Sequence, residues 1–305
     1  MLESLYQMMR IGIVHFKAYP GIERGEGPIL ETLEKICADD FWTAVEVGWM
    51  RDYRILNSAR HLLDQSHLTV CYATQPKVLS LKLNLNSLDM KERNGAIRSV
   101  KSCVDEAYDL GASVIRLIAG QDPGDAKREE AKKLLVDSLG QIMEYGKEEG
   151  KIDFTLKIFD RDIDKKNLIG HFKDALDVAR ALRPSFPNFG LLADLSHFPL
   201  LREKPEEAIP LIKDYLESVH LGNCVCADKR HPAYGDIQPR FGLPGGEIDL
   251  PEVIHYFRVL KANGFFNKPQ LPVVSAEVRP VLAGESSELV LANTKRVIRQ
   301  AWALT

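Results

Sequence analysis

The sequence lacks the features that mark membrane, secreted and nucleic-acid-binding proteins. No apolar run approaches the roughly 18 residues that a membrane-spanning helix needs. The net charge of −3 over 305 residues provides no strongly basic surface for nucleic acid or anionic lipid. The N-terminal segment contains Glu3 and no continuous apolar run, so we do not expect it to be a secretory signal. We therefore predict neither a membrane nor a nucleic-acid partner.

Cysteine is also scarce, with five residues at positions 37, 71, 103, 224 and 226. Only Cys224 and Cys226 are close in sequence, and they lack the two-residue gap of the usual zinc and redox pairs. An odd number of scattered cysteines is not typical of a disulfide framework. We predict five reduced thiols and a cytoplasmic location.

The chain instead contains a regular alternation of strand-like and helix-like segments. Short β-branched runs, such as 44–47 and 68–73, alternate with amphipathic stretches such as 29–37. Eight such pairs with no linker predict an α/β fold, a single (β/α)8 TIM barrel over residues 1–305, with residues 1–9 as a candidate N-terminal tail. We expect the stretch 74–90 to fold over one mouth of the barrel and a helix to begin at about Lys165.

Polar residues end several of the predicted strands. Asp194 follows the apolar run 191–193, His220 lies near the end of the next strand, and Glu277 follows 273–276. The carboxyl ends of all barrel strands face the same mouth, so these three side chains are expected to converge. Two carboxylates and an imidazole suit Mn²⁺, Mg²⁺, Co²⁺ or Zn²⁺. The alternative for each residue alone is a structural hydrogen bond.

Further polar residues are candidates for substrate contacts at the same mouth. A long loop after His220 carries acidic, basic and aromatic residues, and loops of this length are usually functional, although a solvated loop would also explain it. Within it, Asp228 and His231 are an alternative second metal pair, while Arg240 and Arg279 are suited to hold an anion. The predicted substrate-binding residues are Glu46, His197, Asn223, Asp228, His231, Arg240 and Arg279.

These motifs resemble the xylose isomerase-like TIM barrel superfamily, specifically its sugar phosphate isomerase/epimerase group. The resemblance covers nearly the whole chain and is strongest in the segments 159–167, 188–197, 220–223, 231–236, 239–242 and 275–280. It implies carbohydrate metabolism, a sugar or sugar derivative as the small-molecule partner, and a divalent metal held by Glu, Asp, His and Glu from four successive strands. The last three of these ligands match Asp194, His220 and Glu277.

Two positions depart from the pattern of that superfamily. The strand 154–157 carries Lys157 where the first glutamate ligand is expected, and Gln238 occupies a position where histidine is expected. The lysine removes one anionic ligand and adds a cation. Burial lowers the pKa of a lysine, whereas two nearby carboxylates raise it, and we expect Lys157 to be charged and to take the place of the metal between Asp194 and Glu277.

Three functions are compatible with this sequence. The first is a metal-dependent isomerase or epimerase that moves a proton next to a carbonyl, with Lys157 and Glu277 as catalytic groups. Keto-sugar lyases, dehydratases and C-glycoside-cleaving enzymes would use similar residues. The second is a metal-free enzyme in which Lys157 forms a Schiff base or acts as the electrophile. The third is a sugar-binding barrel with a disabled site. The sequence favours an isomerase-class enzyme and leaves open whether it forms a homo-oligomer.

Overall fold

The computed structural model describes residues 4–305, without the side chains of residues 148 and 149. Residues 1–3 of the predicted N-terminal tail lie outside the described residues. In the rest of that segment, Leu5 and Met9 are buried in the core. No helix among the described residues is both long enough and apolar enough to cross a membrane.

Eight parallel strands pair in sequence order and close into a barrel, which confirms the predicted (β/α)8 TIM barrel. Closure is made by β1 against β8, where Arg10 is in register with Val273. The strands are β1 Arg10–Val14, β2 Ala44–Val47, β3 Thr69–Ala73, β4 Val114–Leu117, β5 Asp153–Lys157, β6 Phe189–Asp194, β7 Leu216–Gly222 and β8 Val273–Glu277.

The helices surround the barrel and cover its strands with apolar faces. Asp89, for example, begins a long helix by accepting hydrogen bonds from the backbone N–H groups of Lys91 and Glu92. The helices are α1 Leu5–Met8, α2 His15–Ala18, α3 Ile29–Cys37, α4 Tyr53–Ser66, α5 Gln75–Ser80, α6 Met90–Asp109, α7 Arg128–Glu149, α8 Phe172–Leu182, α9 His197–Leu201, α10 Pro205–Ile212, α11 Leu250–Ala262 and α12 Ser287–Ala303.

Three segments differ from the sequence prediction. The helix expected from about Lys165 begins only at Phe172. The carboxylate of Asp160 instead accepts N–H groups from Ile163 at 2.9 Å and Lys165 at 2.8 Å, which holds this stretch as a compact loop. The stretch 74–90 contains the additional helix α5. The run 11–16 predicts a strand that reaches Phe16, but β1 ends at Val14 and His15 opens α2.

The interior of the barrel is partly polar. Arg116 lies in the middle of β4 with only 3% of its surface exposed. Its guanidinium donates hydrogen bonds to Thr155 on β5 at 3.0 Å and to Ser218 on β7. It also forms an ion pair with Glu46 on β2, 3.3 Å away. A network of charged and polar side chains therefore connects β2, β4, β5 and β7 inside the barrel.

Candidate functional site

The Lys157 ammonium lies at the centre of the polar groups at the strand ends. It is the last residue of β5, and its Nζ is 2.9 Å from Asp194 Oδ2 at the end of β6. It also donates a hydrogen bond to Glu277 Oε2 at the end of β8. Burial alone would lower the pKa of Lys157, but Glu277, Asp194 and Asp236 outweigh it, and the pKa is raised. The lysine is therefore a charged ammonium held by two carboxylates.

His220, on β7, lies between two more carboxylate contacts. Its Nδ1 is 2.6 Å from Glu277 Oε2, and its Nε2 is 3.0 Å from Glu46 Oε2. Carboxylates only accept hydrogen bonds, so both ring nitrogens must donate and the ring is an imidazolium. Burial would lower its pKa, but Glu46 and the hydrogen bond to Glu277 raise it. Despite burial, the neighbouring His220 and Arg116 hold the pKa of Glu46 at about 2.

Asp194, His220 and Glu277 offer ligand atoms within 4.8 Å of one another, the spacing of a metal site. In this arrangement they do not fit a divalent ion. Asp194 and Glu277 bind the Lys157 ammonium, and a protonated His220 has no lone pair to donate to a metal. The predicted metal ligands therefore meet, but their charges are already balanced by protein groups.

Gln238 supports Asp194 from the loop after β7. Its Nε2 donates to Ser196 Oγ at 2.9 Å, to Asp236 Oδ1 at 2.8 Å and to Asp194 Oδ2 at 3.3 Å. Its backbone has a φ of +64°, a left-handed conformation that costs a non-glycine residue roughly 1 kcal/mol. The absence of a side chain at Gly222 leaves room for the side chain of Gln238, because a Cβ at position 222 would lie 2.0 Å from Gln238 Oε1.

His197 is held from both sides beneath this loop. Its Nδ1 donates to the carbonyl oxygen of Ile158 at 2.6 Å, and its Nε2 is 3.3 Å from Asp236 Oδ1. Burial would lower the pKa of His197, but Asp194 and Asp236 raise it. Burial would raise the pKa of Asp236, but the His197 ring and Lys165 outweigh this effect and lower it. The predicted His197 therefore belongs to the same network as Lys157.

One oxygen of Glu277 is not used by this network. Glu277 Oε2 accepts from Lys157 and His220, whereas Oε1 is buried and has no hydrogen-bond partner among the described residues. The Nζ of Lys17, in α2, lies 3.9 Å from Oε1, beyond hydrogen-bond distance. A buried carboxylate oxygen without a donor is uncommon and indicates a place for a ligand hydroxyl or a transferred proton.

The other predicted substrate-binding residues have partners outside the central network. Arg279 pairs with Glu23 at 3.2 Å and Arg240 pairs with Glu285 at 2.9 Å. Three further residues satisfy groups of the long loop itself: Asn223 accepts from Ile248 N, Asp228 accepts from Arg230 N, and His231 accepts from Ala233 N. Asp228 and His231 do not join the Asp194 cluster as a metal pair. Substrate contacts by these five residues stay predictions.

Sequence reasoning missed Lys17 and Arg116 as parts of this network. The signal for Arg116 was a charged residue inside an otherwise apolar strand, which is costly unless the charge is paired. The signal for Lys17 was weaker, because only its position shortly after the end of β1 indicated that it could lie near the barrel mouth. Asp236 and Gln238 lie on a loop whose course toward the barrel no local pattern specifies.

A cavity of about 980 Å³ opens at the opposite end of the barrel. It is lined by the first residues of six strands, namely Arg10, Thr69, Val114, Asp153, Phe189 and Val273. Active sites of such barrels lie at the carboxyl ends of the strands. This cavity is therefore not the candidate site, whose central residues are almost completely buried: Lys157, Asp194, His220 and Glu277 are at most 1% exposed.

The closed barrel of eight parallel strands, with ionisable groups at the carboxyl ends of the strands, places this protein in the class of TIM barrels. The family model described as xylose isomerase-like TIM barrel matches residues 41–277. Because the match covers most of the chain, the protein belongs to the xylose isomerase-like TIM barrel family, as the sequence motifs predicted. No curated protein matches the sequence significantly.

Solved structures share this fold at low sequence identity. A D-tagatose 3-epimerase-like protein is 15% identical with a TM-score of 0.71, over 97% of this chain and 98% of that one. The IOLI protein with a binding zinc atom is 17% identical with a TM-score of 0.72, over the same 97% and 98%. D-psicose 3-epimerase with D-tagatose from Clostridium cellulolyticum H10 is 17% identical, with a TM-score of 0.65 over 97% and 96%. Such identities establish the fold alone.

Proposed function

We propose that this barrel is an isomerase- or epimerase-type enzyme that acts, without a metal, on a keto-sugar or a related hydroxylated carbonyl compound. The observation that carries the proposal is the Lys157 ammonium between Asp194 and Glu277. A compact cation at this point can polarise a carbonyl oxygen and stabilise the negative charge that develops on it. The raised pKa of Lys157 favours this electrophilic role over a Schiff base, which requires a neutral amine.

Glu277 is the proton acceptor in this proposal. Its free Oε1 takes the proton from the carbon next to the carbonyl, and the C–H electron pair forms the double bond of an enediolate whose oxygen lies against Lys157. Return of the proton by Glu277 to the former carbonyl carbon gives the isomer. Protonation of the first carbon by a water molecule on its opposite face, with the proton on Glu277 then passing to the hydroxide, gives the epimer. Lys157 lowers the pKa of Glu277 against the effect of burial, and engagement of the ammonium by substrate would strengthen the base.

Two features support a hydroxylated substrate. Glu277 Oε1 and Ser275 Oγ are buried without partners among the described residues, and hydroxyl groups of a sugar would supply donors to both. Structures with the same fold have names that refer to D-tagatose, D-psicose and L-ribulose. Keto-sugars of this size are therefore the first compounds to test.

A second candidate is a sugar-binding barrel without turnover. It is favoured by the burial of Lys157, 1% exposed, and by the ion pairs that already satisfy its charge. In that case the network would be a structural replacement for the metal, and ligand binding would leave the carbon-bound protons of the sugar unexchanged.

Proton exchange in D₂O distinguishes the two candidates. The protein is incubated with D-tagatose, D-psicose or L-ribulose in D₂O with EDTA, and deuterium next to the carbonyl is followed by NMR. We expect incorporation into at least one sugar, with loss of about 10² or more in rate for Glu277→Gln and Lys157→Met, because each removes a group that acts in the transition state. Lys204→Met, at the exposed residue that precedes α10, is the matched control.

Each result of this experiment bears on a different interpretation. Exchange that requires added Mn²⁺ would support the metal-dependent isomerase and contradict the role proposed for Lys157. Saturable binding of a sugar without exchange would support the binding barrel. Exchange that persists in Glu277→Gln would show that another group is the base.

A further inference from the structure

The two cysteines of the Cys224-Val-Cys226 segment lie next to each other in the loop after β7. Their Sγ atoms are 3.7 Å apart, in hydrogen-bonding contact, and both are free thiols. Cys224 is buried and Cys226 is half-buried, so reagents in solution reach the second sulfur first. A disulfide requires the sulfur atoms to approach to about 2.05 Å, and in the short ring of a Cys-X-Cys segment this approach shifts the backbone of residues 224–226.

The thiols differ in their ease of ionisation. The hydrogen bond from Cys224 lowers the pKa of Cys226, and the same contact, together with burial, raises the pKa of Cys224. The ionised sulfur is the one that reacts with oxidants. Cys226 is thus placed as the attacking thiol with Cys224 beside it as the resolving thiol, an arrangement found in redox-sensitive cysteine pairs.

A backbone hydrogen bond connects the pair to the segment that supplies Asp236 and Gln238 to the candidate site. The carbonyl oxygen of Val225 accepts from Gly235 N at 2.9 Å, and Gly235 directly precedes Asp236. The backbone N–H of Cys226 donates to Glu247 Oε1 at 3.2 Å. Movement of residues 224–226 therefore pulls on the segment 234–238, which carries Asp236 and Gln238.

We propose that Cys224 and Cys226 form a reversible oxidation site whose disulfide displaces the segment 234–238 from the barrel mouth. The oxidant class is a peroxide. The Cys226 thiolate attacks one peroxide oxygen, the O–O bond breaks and a sulfenic acid forms; Cys224 then attacks that sulfur and expels water. In total two thiols and one hydrogen peroxide give one disulfide and two waters. The inference does not depend on which function the barrel mouth has.

Mass spectrometry of the intact protein treated with hydrogen peroxide tests the site. After treatment, remaining thiols are blocked with N-ethylmaleimide and the protein is digested with trypsin. Residues 214–229 form one tryptic peptide that holds both cysteines, and we expect it to be two hydrogen atoms lighter and unlabelled. Cys37 is the matched control, because it is also half-buried but has no second cysteine nearby and burial raises its pKa. Cys226 should react faster than Cys37, because the pKa of Cys226 is lowered and that of Cys37 is raised.

Two variants separate the roles of the sulfur atoms. Cys224→Ser should leave a Cys226 sulfenic acid that dimedone traps, whereas Cys226→Ser should leave Cys224 unoxidised. Amide hydrogen exchange in residues 234–238 should increase on oxidation of the parent protein and return to its initial rate with dithiothreitol. The proposal is overturned if the 214–229 peptide keeps both labels, if Cys37 reacts as fast as Cys226, or if exchange in 234–238 does not respond to the disulfide.

Discussion

At the scale of single residues, Lys157 decides what the strand ends can bind. Its ammonium occupies the space between Asp194 and Glu277, and the charge of His220 depends on the same carboxylates. Replacement of this one side chain by glutamate would remove a cation, add a carboxylate and leave an oxygen-rich set around an open centre. The network is therefore one substitution away from a four-ligand metal site.

We predict that Lys157→Glu gains a metal that the parent protein does not bind. After incubation with Mn²⁺ and desalting, elemental analysis should find near-stoichiometric metal in the variant and only traces in the parent, because the ammonium competes for the same carboxylate oxygens. Lys204→Glu on the surface is the control for added negative charge. Stoichiometric Mn²⁺ in the parent protein would mean that Asp194, His220 and Glu277 suffice as ligands.

Removal of the Lys157 charge without replacement should destabilise the protein. Lys157→Met leaves two buried carboxylates without their principal cation, and breaking a buried ion pair in this way typically costs about 3–5 kcal/mol. Urea denaturation at pH 7 measures the difference, with Lys204→Met expected within about 0.5 kcal/mol of the parent. A loss below about 1 kcal/mol would indicate that Lys17 or water compensates the two carboxylates.

At the scale of elements, the loop between β5 and α8 is organised by one carboxylate. Asp160 accepts backbone N–H groups from Asp162, Ile163 and Lys165 at 3.0, 2.9 and 2.8 Å, as well as from Asp164. These bonds fix the loop directly after the strand that carries Lys157. They also compete with helix formation, so that the helix starts at Phe172 rather than near Lys165.

Asp160→Ala should therefore destabilise the protein by about 1.5–3 kcal/mol, the range for hydrogen bonds to a charged group, measured by urea denaturation. Amide exchange should rise within the loop 160–170 more than elsewhere. Asp162→Ala is the control, since that side chain is exposed and its ion pairs are long, 3.4 Å to Arg161 and 3.6 Å to His171. Equal effects of the two substitutions would contradict the assigned role of Asp160.

Elements with strong local signals were predictable from the sequence, and long-range contacts were not. The strand over 44–47 has the predicted bounds because β-branched residues lie between clear turn signals. Asp194, His220 and Glu277 were found because parallel strands bring their carboxyl ends to one mouth. Lys17 enters through a one-turn helix and Gln238 through a left-handed backbone in a long loop. Their positions depend on tertiary packing that no local period encodes.

At the scale of the whole molecule, buried charge is balanced at the barrel mouth but a neutral buried histidine lies beside it. His15 opens α2, is 1% exposed, and has Nε2 only 2.8 Å from Thr32 Oγ1. Thr32 Oγ1 donates to the carbonyl oxygen of Pro28, so His15 Nε2–H is the donor to Thr32. Burial lowers the pKa of His15 to about 3, and no carboxylate contributes to this shift. Its ring is uncharged in the folded state at neutral pH.

This histidine should make global stability fall on mild acidification. Between pH 6.5 and about 3 the unfolded chain binds a proton at His15 that the folded protein does not, so the free energy of unfolding decreases as the pH falls. The slope reaches about 1.4 kcal/mol per pH unit below about pH 5.5 and is half of that at pH 6.5, so the loss from pH 6.5 to 4.5 is roughly 2.3 kcal/mol. Carboxylates such as Glu46, with a pKa of about 2, add their own loss only below about pH 4.5.

Urea denaturation at pH 6.5, 5.5 and 4.5 measures the slope. His15→Gln, which retains an amide donor to Thr32 and does not titrate, should flatten it by that amount, whereas the exposed His61→Gln should not. If the parent and His15→Gln lose stability in parallel over this range, another group is responsible for the acid sensitivity of the fold.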